Sequence, residues 1–431
     1  MSLIKMSTIT RRAALFAGLG CIGLGQATAL ATTWPAARGD GEEIVRLYGE
    51  RGRFVGRMLH VGDPLADAVV AELPGLGEDG HRLLQRGIAY GLASLTDPPP
   101  AIAAFLRSAE TVPPWVTPRT FTGGSRTFMS IPLPAHAVTL SLAALTHTYS
   151  SPAIAGVLVG TGELINSTKR RLVETTDWLL RCMQPGALRR GGKGYVATLQ
   201  VRMLHAQARA RTLARGWNVG ALGHPLGQVD LARTWLDFLP ISYAALGKLG
   251  YDCTADEVAD LYRTWWYIGH LLGIDPGFYL GITDHQAARR LLALVDATNR
   301  APDANSKALV TQTVAGAADL FSLNGILPTV SRETIRASFR HVNGDRIADF
   351  FGVPASPAQA LLPLAALAAG EEHQLARSFP PAWEARIKAN EALAETFLAL
   401  LPTSAYVTNS GGYHDAGVMT GTAPTAGSSQ R

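Results

Sequence analysis

Three polar residues near the middle of the chain, Arg171, Glu174 and Thr175, are spaced so that they fall on one face of an α-helix. In such a group, the arginine and the threonine can donate hydrogen bonds to a bound small molecule, and the carboxylate can accept a proton. A solvated, salt-bridged helix face would have the same composition. The pattern by itself leaves both interpretations open.

A second polar face follows at Arg202, His205 and Arg209, which are spaced i, i+3 and i+7. Two positive charges beside a buried histidine are unfavourable unless an anionic group lies nearby. A haem meets this requirement, because imidazole binds its iron and arginines bind its propionates. A helix that exposes its arginines to solvent is the alternative. His205 is therefore a candidate metal ligand, and the two arginines are candidate cofactor-binding residues.

Both polar faces belong to segments with helical periodicity, residues 167–183 and 195–215, which the turn-rich residues 184–194 join. So short a connection predicts that the two helices pack against each other. The polar faces would then meet inside an otherwise apolar bundle, where a binding site could form.

The composition indicates an all-α protein. Of the 431 residues, 47% are hydrophobic, which is sufficient for a sizeable core, and only 17% are charged. Alanine and leucine are abundant, and this bias favours helices over strands. Because no fixed-period repeat and no glycine-rich phosphate motif occur, we predict a single large helical domain over residues 38–402.

Local signals predict where individual helices begin and end. Pro74 and Gly75 are predicted to end a short helix, and the Pro- and Gly-rich residues 113–135 are predicted to form a long loop. Thr254 and Glu257 have the spacing of a capping box, in which each side chain bonds a free backbone N–H at the start of a helix.

The N-terminal residues 1–31 are predicted to be a twin-arginine-type signal peptide. The pair Arg11-Arg12 precedes an uncharged run that ends in Ala-Leu-Ala, a small-x-small cleavage motif. A cleaved signal of this type implies a periplasmic or extracellular protein with no permanent membrane span. An ordinary secretory signal or an uncleaved membrane-anchoring helix is the alternative. At the other end, the Gly/Ser/Thr-rich residues 403–431 are predicted to be a flexible tail.

The net charge does not indicate a nucleic-acid partner. The full chain has 39 Lys+Arg and 34 Asp+Glu, a net charge of +5. Residues 1–31 carry three of the basic residues and no acid, so removing them leaves 36 against 34, or +2.

Other metal or disulfide sites have little support in the sequence. Neither a CxxCH haem-attachment motif nor an HExxH zinc motif occurs. Cys182 and Cys253 could pair in an exported protein, but nothing in the sequence places them near each other. His270 lies in a very apolar helix and could be either a hydrogen-bonded core histidine or a ligand.

The segment RRLVETTDWL, the thirty-residue step from Thr175 to His205, and the segment VRMLHAQAR together resemble the helical haem oxygenases, the family of the rubber oxygenases and of the oxygenase of mycophenolic acid biosynthesis. The segments HPLGQVDLARTWLDF and LYRTWWYIGHLLGID are further family-like blocks in the expected order. The resemblance implies a noncovalent haem b in a globin-like helical core. It implies that His205 is the proximal iron ligand, that Arg202 is the arginine one turn before it, and that Arg171 and Thr175 are the distal polar pair.

The activity that the resemblance implies is dioxygenation of the C=C bonds of poly(cis-1,4-isoprene), which yields oligomers with aldehyde and ketone ends. The implied partners are dioxygen and a hydrophobic alkene or polyisoprene, and we expect a monomer. A haem monooxygenase or peroxidase acting on a smaller lipid or terpenoid is a second hypothesis. A non-enzymatic haem carrier or sensor is a third.

Two features depart from the pattern of the rubber-cleaving members. Glu174 stands where those members can have a lysine, and the region SPAIAGVLVG contains no acid where they have a catalytic base, the nearest being Glu163. Glu174 is therefore our candidate for the carboxylate that moves a proton.

Overall fold

The structure is a computed structural model that describes residues 34–160, 164–322 and 327–400. The predicted signal peptide, the predicted tail and Glu163 lie outside these residues. Regular structure in the described residues is helical, with no β-strand among them, and this confirms the all-α prediction.

The helices are connected by short segments. In chain order the α-helices are α1 (Gly41–Tyr48), α2 (Glu50–Met58), α3 (Pro64–Tyr90), α4 (Pro100–Glu110), α5 (Gly123–Met129), α6 (Leu133–Thr139), α7 (Leu145–Tyr149), α8 (Pro152–Gly160), α9 (Leu164–Cys182), α10 (Lys193–Ala214), α11 (Val219–Leu222), α12 (Gln228–Leu236), α13 (Ser242–Lys248), α14 (Ala255–Leu271), α15 (Pro276–Tyr279), α16 (His285–Ala297), α17 (Ala304–Ser322), α18 (Pro328–Asn343), α19 (Asp345–Phe350), α20 (Leu362–Ser378) and α21 (Pro380–Leu400). Short 3₁₀ helices span Leu92–Ser94, Pro118–Phe121 and Pro357–Leu361, and π-helical turns span Leu140–Ala144 and Asp237–Ile241.

Several helices begin at side-chain caps that the sequence provides. The capping box predicted for α14 is confirmed, since the Thr254 amide donates to the Glu257 carboxylate at 2.8 Å and the Glu257 amide donates to the Thr254 hydroxyl at 3.3 Å. The Asp284 carboxylate accepts from the Ala287 amide at the start of α16 at 2.8 Å.

The helix end predicted at Pro74 and Gly75 was placed two residues too early, because the first helical part of α3 ends at Gly77. At Gly77 φ is +59° and the backbone is not helical, and a second helical part continues from there to Tyr90. Glycine adopts this conformation without a steric penalty, so the chain can change direction there and resume its helix.

The long loop predicted at residues 113–135 was also wrong, because this stretch contains Pro118–Phe121 and α5. Its glycines serve helix packing. A Cβ atom on Gly123 would lie 2.7 Å from Asp260, and one on Gly124 would lie 2.4 Å from Thr264. The absence of these side chains lets α5 lie directly on α14.

Helix α9 lies between α10 and α17, and it joins two apolar clusters. Its residues Trp178 and Leu179 belong to the larger cluster, which α3, α4, α10, α12 and α14 also line. The smaller cluster is built around Leu309 and Phe339 and includes Tyr149. Helix α9 thus packs between α10, which contributes to the larger cluster, and α17, which contributes to the smaller one.

Taken one at a time, the described helices are all too short or too polar to cross a lipid bilayer. The stretches Pro118–Met129 and Leu133–Tyr149 meet the requirement for length and composition only as a pair, which is bent by 92°.

Candidate functional site

Helices α9 and α10 pack antiparallel, as the short connection predicted. The C-terminal end of α9 meets the start of α10, where a Cβ atom on Gly194 would lie 2.8 Å from the Cys182 Cα atom. One turn further, the Trp178 indole N–H donates to the Thr198 hydroxyl at 3.2 Å. The two helices therefore run in opposite directions from a shared contact.

This contact sets the level of the candidate site. Arg171 precedes Trp178 by seven residues on α9, and His205 follows Thr198 by seven residues on α10. Seven residues are close to two full helical turns, so each residue lies on the same side of its helix as the contact residue and about 10 Å further along the axis. By this spacing, Arg171 and His205 lie at about the same level along the two helices, whereas the arginines of the α10 face contact α3.

The His205 imidazole is in the chemical form that a metal ligand requires. Burial and the nearby Arg209, partly opposed by Asp63, together lower its pKa to about 4. The ring is therefore neutral near pH 7. Its Nδ1 atom is buried and makes no hydrogen bond to any residue that the structure describes. A buried polar atom with no partner is unfavourable, and a bound group could remove that cost.

Two nitrogen atoms of the Arg171 side chain also lack hydrogen-bond partners. Its Nε and Nη2 atoms are buried without a hydrogen bond to the described residues, and its Cζ atom lies 6.0 Å from the centre of the Tyr149 ring. Burial raises the pKa of Tyr149 and Arg171 acts in the opposite direction. Tyr149 was not singled out in the sequence, since nothing in its spacing relates it to α9. The buried guanidinium donors remain available for an acceptor.

The other two residues of the α9 face differ in their contacts. The Glu174 carboxylate accepts from the Arg170 Nε atom at 2.8 Å, and its side chain is 23% exposed. This pair resembles the solvated alternative considered from the sequence. The Thr175 side chain is half-buried, with no side-chain hydrogen bond to another described residue.

Arg202 has a carboxylate partner from a distant part of the chain. Its Nε and Nη2 atoms donate to Asp63 at 2.6 and 2.9 Å, and both side chains are buried. The guanidinium also lies 5.0 Å from the centre of the Phe105 ring. Asp63 in addition caps α3 by accepting from the Ala66 amide at 3.2 Å.

Arg209 makes the equivalent contact one turn further along α3. Its Nε atom donates to the Asp67 carboxylate at 2.8 Å, and its Nη1 atom donates to the Leu226 carbonyl at 2.7 Å. Asp63 and Asp67 thus supply the anionic partners that the charge argument required, and that argument by itself no longer indicates a haem. The signal that could have predicted them is the acid pair, spaced i, i+4, at the start of an amphipathic helix.

The other candidate residues lie outside this face. Cys182 is buried, and its thiol contacts the Thr198 hydroxyl at 3.3 Å. Both Cys182 and Cys253 are free thiols, so the pairing left open by the sequence does not occur in this structure. His270 is neutral because burial lowers its pKa to about 4, and its Nε2 atom is buried without a described partner.

A charged cluster that sequence reasoning missed connects α7, α12 and α16. The His147 ring contacts Asp237 through Nδ1 at 2.7 Å and Asp296 through Nε2 at 3.1 Å. Arg233 donates to Asp296 at 3.0 Å. Burial opposes protonation of His147, but Asp237 and Asp296 together raise its pKa to about 9. Both ring nitrogens are engaged, so this cluster holds three helices together.

The residues at the α9–α10 level fit a haem. A haem needs one neutral imidazole for its iron, and His205 is neutral, half-buried and incompletely hydrogen-bonded. Small polar molecules bound with a haem are held by hydrogen-bond donors, and Arg171 has two buried donors without partners. Tyr149, beside Arg171, belongs to the smaller apolar cluster, and Phe105, beside Arg202, belongs to the larger one, so apolar surface lies next to both arginines.

Comparisons with known proteins agree with this reading of the fold. A sequence profile described as "ER-bound oxygenase mpaB/B'/Rubber oxygenase, catalytic domain" matches residues 134–370, which is more than half of the chain and includes both polar faces. The solved structure titled "Structure of Latex Clearing Protein LCP in the closed state" superposes with a TM-score of 0.59 at 18% identity, over 80% of this chain and 91% of that chain. At this identity the likeness is one of fold. No protein in a curated sequence collection matches the chain. On the extent of the profile match, the chain belongs to the family of mpaB-type and rubber oxygenases.

Proposed function

We propose that this protein is a haem b-dependent dioxygenase that cleaves C=C bonds of an extended apolar polyisoprenoid, poly(cis-1,4-isoprene), into oligomers with aldehyde and ketone ends. Both oxygen atoms of O₂ become carbonyl oxygens of the products, so the reaction balances without an external reductant. Membership of the rubber oxygenase family supports this substrate class.

The placement of His205 opposite Arg171 is the observation that carries the proposal. This placement is inferred from the Trp178–Thr198 contact, and the two residues combine a neutral imidazole with a guanidinium that has two buried donors without hydrogen bonds. If the two helices only supported the fold, two incompletely hydrogen-bonded groups would be unfavourable, because each buried polar atom without a hydrogen bond lowers the stability of the folded protein. A bound cofactor and its ligand would satisfy both.

When bound, the haem would supply the redox chemistry that lets dioxygen react with an alkene. His205 would hold it through its imidazole, and Arg171 and Thr175 would donate hydrogen bonds to small polar groups bound with it. Glu174 would accept a proton and return it, since the overall reaction consumes none.

The two arginines of α10 receive a different role from the one the sequence suggested. Because Arg202 and Arg209 are paired with Asp63 and Asp67, we assign them to fixing α10 against α3, which positions His205 between them. Arg209 also helps to keep the His205 imidazole neutral, since it lowers the pKa of that ring.

We also propose that residues 1–31 direct export by the twin-arginine route, because a polymer that cannot enter a cell must be cleaved outside it. Sequencing the N-terminus of the secreted protein tests this. A start near Thr32 is expected, and an intact Met1 in a membrane fraction would indicate an anchor instead.

The haem assignment is tested by the absorption spectrum and pyridine haemochrome content of protein expressed with ample haem. The wild type should contain about one haem per chain and consume O₂ with a polyisoprene emulsion, forming carbonyl ends. His205→Ala should lose the haem. A colourless wild-type protein would end the proposal.

His270→Ala is the matched control. Like His205, this histidine is neutral, half-buried and has one nitrogen without a described partner. It should retain haem at the wild-type level. Equal loss of haem in both variants would show that His205 has been misassigned.

A further inference from the structure

Arg171 differs from the buried arginines of the protein in the group that contacts its charge. Five buried arginines each form an ion pair with an aspartate, namely Arg38, Arg202, Arg209, Arg233 and Arg340. Arg171 is half-buried and has no carboxylate partner among the residues that the structure describes. Its guanidinium lies instead over the Tyr149 ring, with the Cζ atom 6.0 Å from the ring centre. Within the described part of the chain, an aromatic ring takes the place that an aspartate has beside the other five.

An aromatic ring can hold a positive charge without using up its hydrogen-bond donors. The face of the ring attracts a cation electrostatically. A carboxylate also attracts the charge, but it accepts hydrogen bonds from the N–H groups, as Asp63 does from Arg202 at 2.6 and 2.9 Å. The Nε and Nη2 atoms of Arg171 are buried and make no hydrogen bond to the described residues. Their N–H groups are therefore free to donate to another acceptor.

Tyr149 contacts Arg171 as a neutral ring. Burial raises the pKa of the Tyr149 phenol, and although Arg171 opposes this effect, the net shift is upward. The phenol therefore stays protonated near pH 7. Because Tyr149 carries no charge, the two residues do not form an ion pair, and the ring itself is the group that attracts the guanidinium.

The backbone that carries Tyr149 is fixed at the end of α7. The Arg233 Nη1 atom donates to the carbonyl oxygens of His147 and Thr148 at 2.5 and 3.1 Å. The Thr148 hydroxyl donates to the Asp237 carboxylate at 2.6 Å. The Tyr149 side chain itself is buried in the smaller apolar cluster. The ring thus has a fixed place, against which a long arginine side chain with many rotamers can be ordered.

We propose that Tyr149 is a positioning residue for Arg171, whose guanidinium its ring holds in the candidate site with two N–H groups free for a small bound molecule. This inference rests on the proposed function for the molecule that accepts those hydrogen bonds. The contact between the ring and the guanidinium does not depend on a haem. Since the ring and not the hydroxyl makes the contact, phenylalanine should replace Tyr149 and leucine should not.

Azide affinity of the ferric haem protein, measured from its absorption spectrum, tests the proposal, because hydrogen-bond donors near a haem affect the binding of small polar ligands. Tyr149→Leu should weaken azide binding by about tenfold or more, as should Arg171→Met, since each removes a charged hydrogen-bond donor from its place. Tyr149→Phe should bind azide as the wild type does. Unchanged affinity in Tyr149→Leu would overturn the inference. Equal losses in Tyr149→Phe and Tyr149→Leu would also overturn it, because the hydroxyl would then be the acting group.

Phe339→Leu is the matched control for Tyr149→Leu. Phe339 is a buried aromatic residue of the same apolar cluster, and it lies on α18. Its replacement loosens the cluster and retains the ring beside Arg171, so azide affinity should stay at the wild-type level. Equal losses of affinity in Phe339→Leu and Tyr149→Leu would show a general packing defect and would overturn the inference.

A double-mutant cycle tests the contact without a haem. Urea unfolding midpoints are measured for the full-length wild type, Tyr149→Leu, Arg171→Met and the double variant. Tyr149→Leu should lower the midpoint more when residue 171 is arginine than when it is methionine, because only the arginine loses a cation–ring contact. Equal shifts in the two backgrounds would overturn the inference. An unequal shift in a protein that binds no haem would support the contact and reject the proposed function alone.

Discussion

Arg202 and Asp63 form a buried, two-point ion pair across 139 residues of sequence, with N–O distances of 2.6 and 2.9 Å. The pair joins the start of α3 to the middle of α10, one turn before His205. The orientation of the candidate iron ligand therefore depends on an aspartate that is not itself part of the site.

Asp63→Asn should destabilise the protein by about 3 to 5 kcal/mol, since it leaves a buried guanidinium without its counter-ion. Asparagine still caps a helix, so the change isolates the charge. Urea unfolding followed by circular dichroism measures the loss. Glu43→Gln, at the exposed pair with Arg46, is the control and should leave the unfolding midpoint nearly unchanged. Similar small effects of both changes would contradict the assigned role of Asp63.

Gly273 permits the same ion pair to form. Its φ is +74°, and a Cβ atom there would lie 2.5 Å from the Arg202 Nε atom and 2.5 Å from Asp63. Gly281 has φ +85° and nothing within 4 Å of its Cβ position. Gly281→Ala should lower the free energy of unfolding only through backbone strain, by about 1 to 2 kcal/mol. Gly273→Ala should lower it by about 1 to 3 kcal/mol more, because the new Cβ atom would also clash with the Arg202–Asp63 pair. Equal unfolding midpoints for the two variants would show that the ion pair can move aside.

The His147 cluster predicts a loss of stability at alkaline pH. The pKa of His147 rises from an ordinary value near 6.5 to about 9 in the folded protein. A raised folded pKa stabilises the protein fully below the unfolded pKa, and the contribution disappears as the pH rises through the folded pKa. The free energy of unfolding should therefore fall between pH 6.5 and about 9, by on the order of 3 kcal/mol.

Urea titrations across this pH range test the His147 prediction. The variant His147→Gln should be less stable at pH 6.5 and should have a flatter pH dependence over the same range. If the wild type and the variant showed the same slope, the alkaline transition would belong to another group. Burial raises the pKa of Asp296, but His147 and Arg233 lower it by more, so the net shift is downward. Asp296 therefore contributes stability that is lost separately, at acid pH, as the pH falls through its lowered pKa.

Glu174→Gln tests the proposed proton-moving carboxylate. If Glu174 serves as the base, the turnover of polyisoprene by the Glu174→Gln variant should fall by about 10²- to 10⁴-fold, while its haem content is retained. Stability should change little, because the pair with Arg170 is partly exposed. Asp319→Asn, which removes the carboxylate paired with Lys169 on the same helix, should keep full turnover. Undiminished turnover in Glu174→Gln would contradict the assignment of Glu174 as the proton-moving carboxylate.

The sequence by itself determined the composition of each helix face. The 3.6-residue period places Arg171 and Thr175 on one stripe of α9 and His205 on one stripe of α10, whatever surrounds them. The short connection between the helices predicted that they pack against each other. The all-α class followed from composition in the same way, because propensity and periodicity are properties of local sequence.

Only the tertiary structure decided which groups face those stripes. Asp63 and Asp67 reach α10 from 139 and 142 residues away, and Tyr149 reaches Arg171 from another helix. Glycines that indicate a loop in sequence, such as Gly123 and Gly124, serve close helix packing here. Periodicity reports which side of a helix is polar. The partner of a buried charge depends on which helix packs there, and that is set by the whole fold.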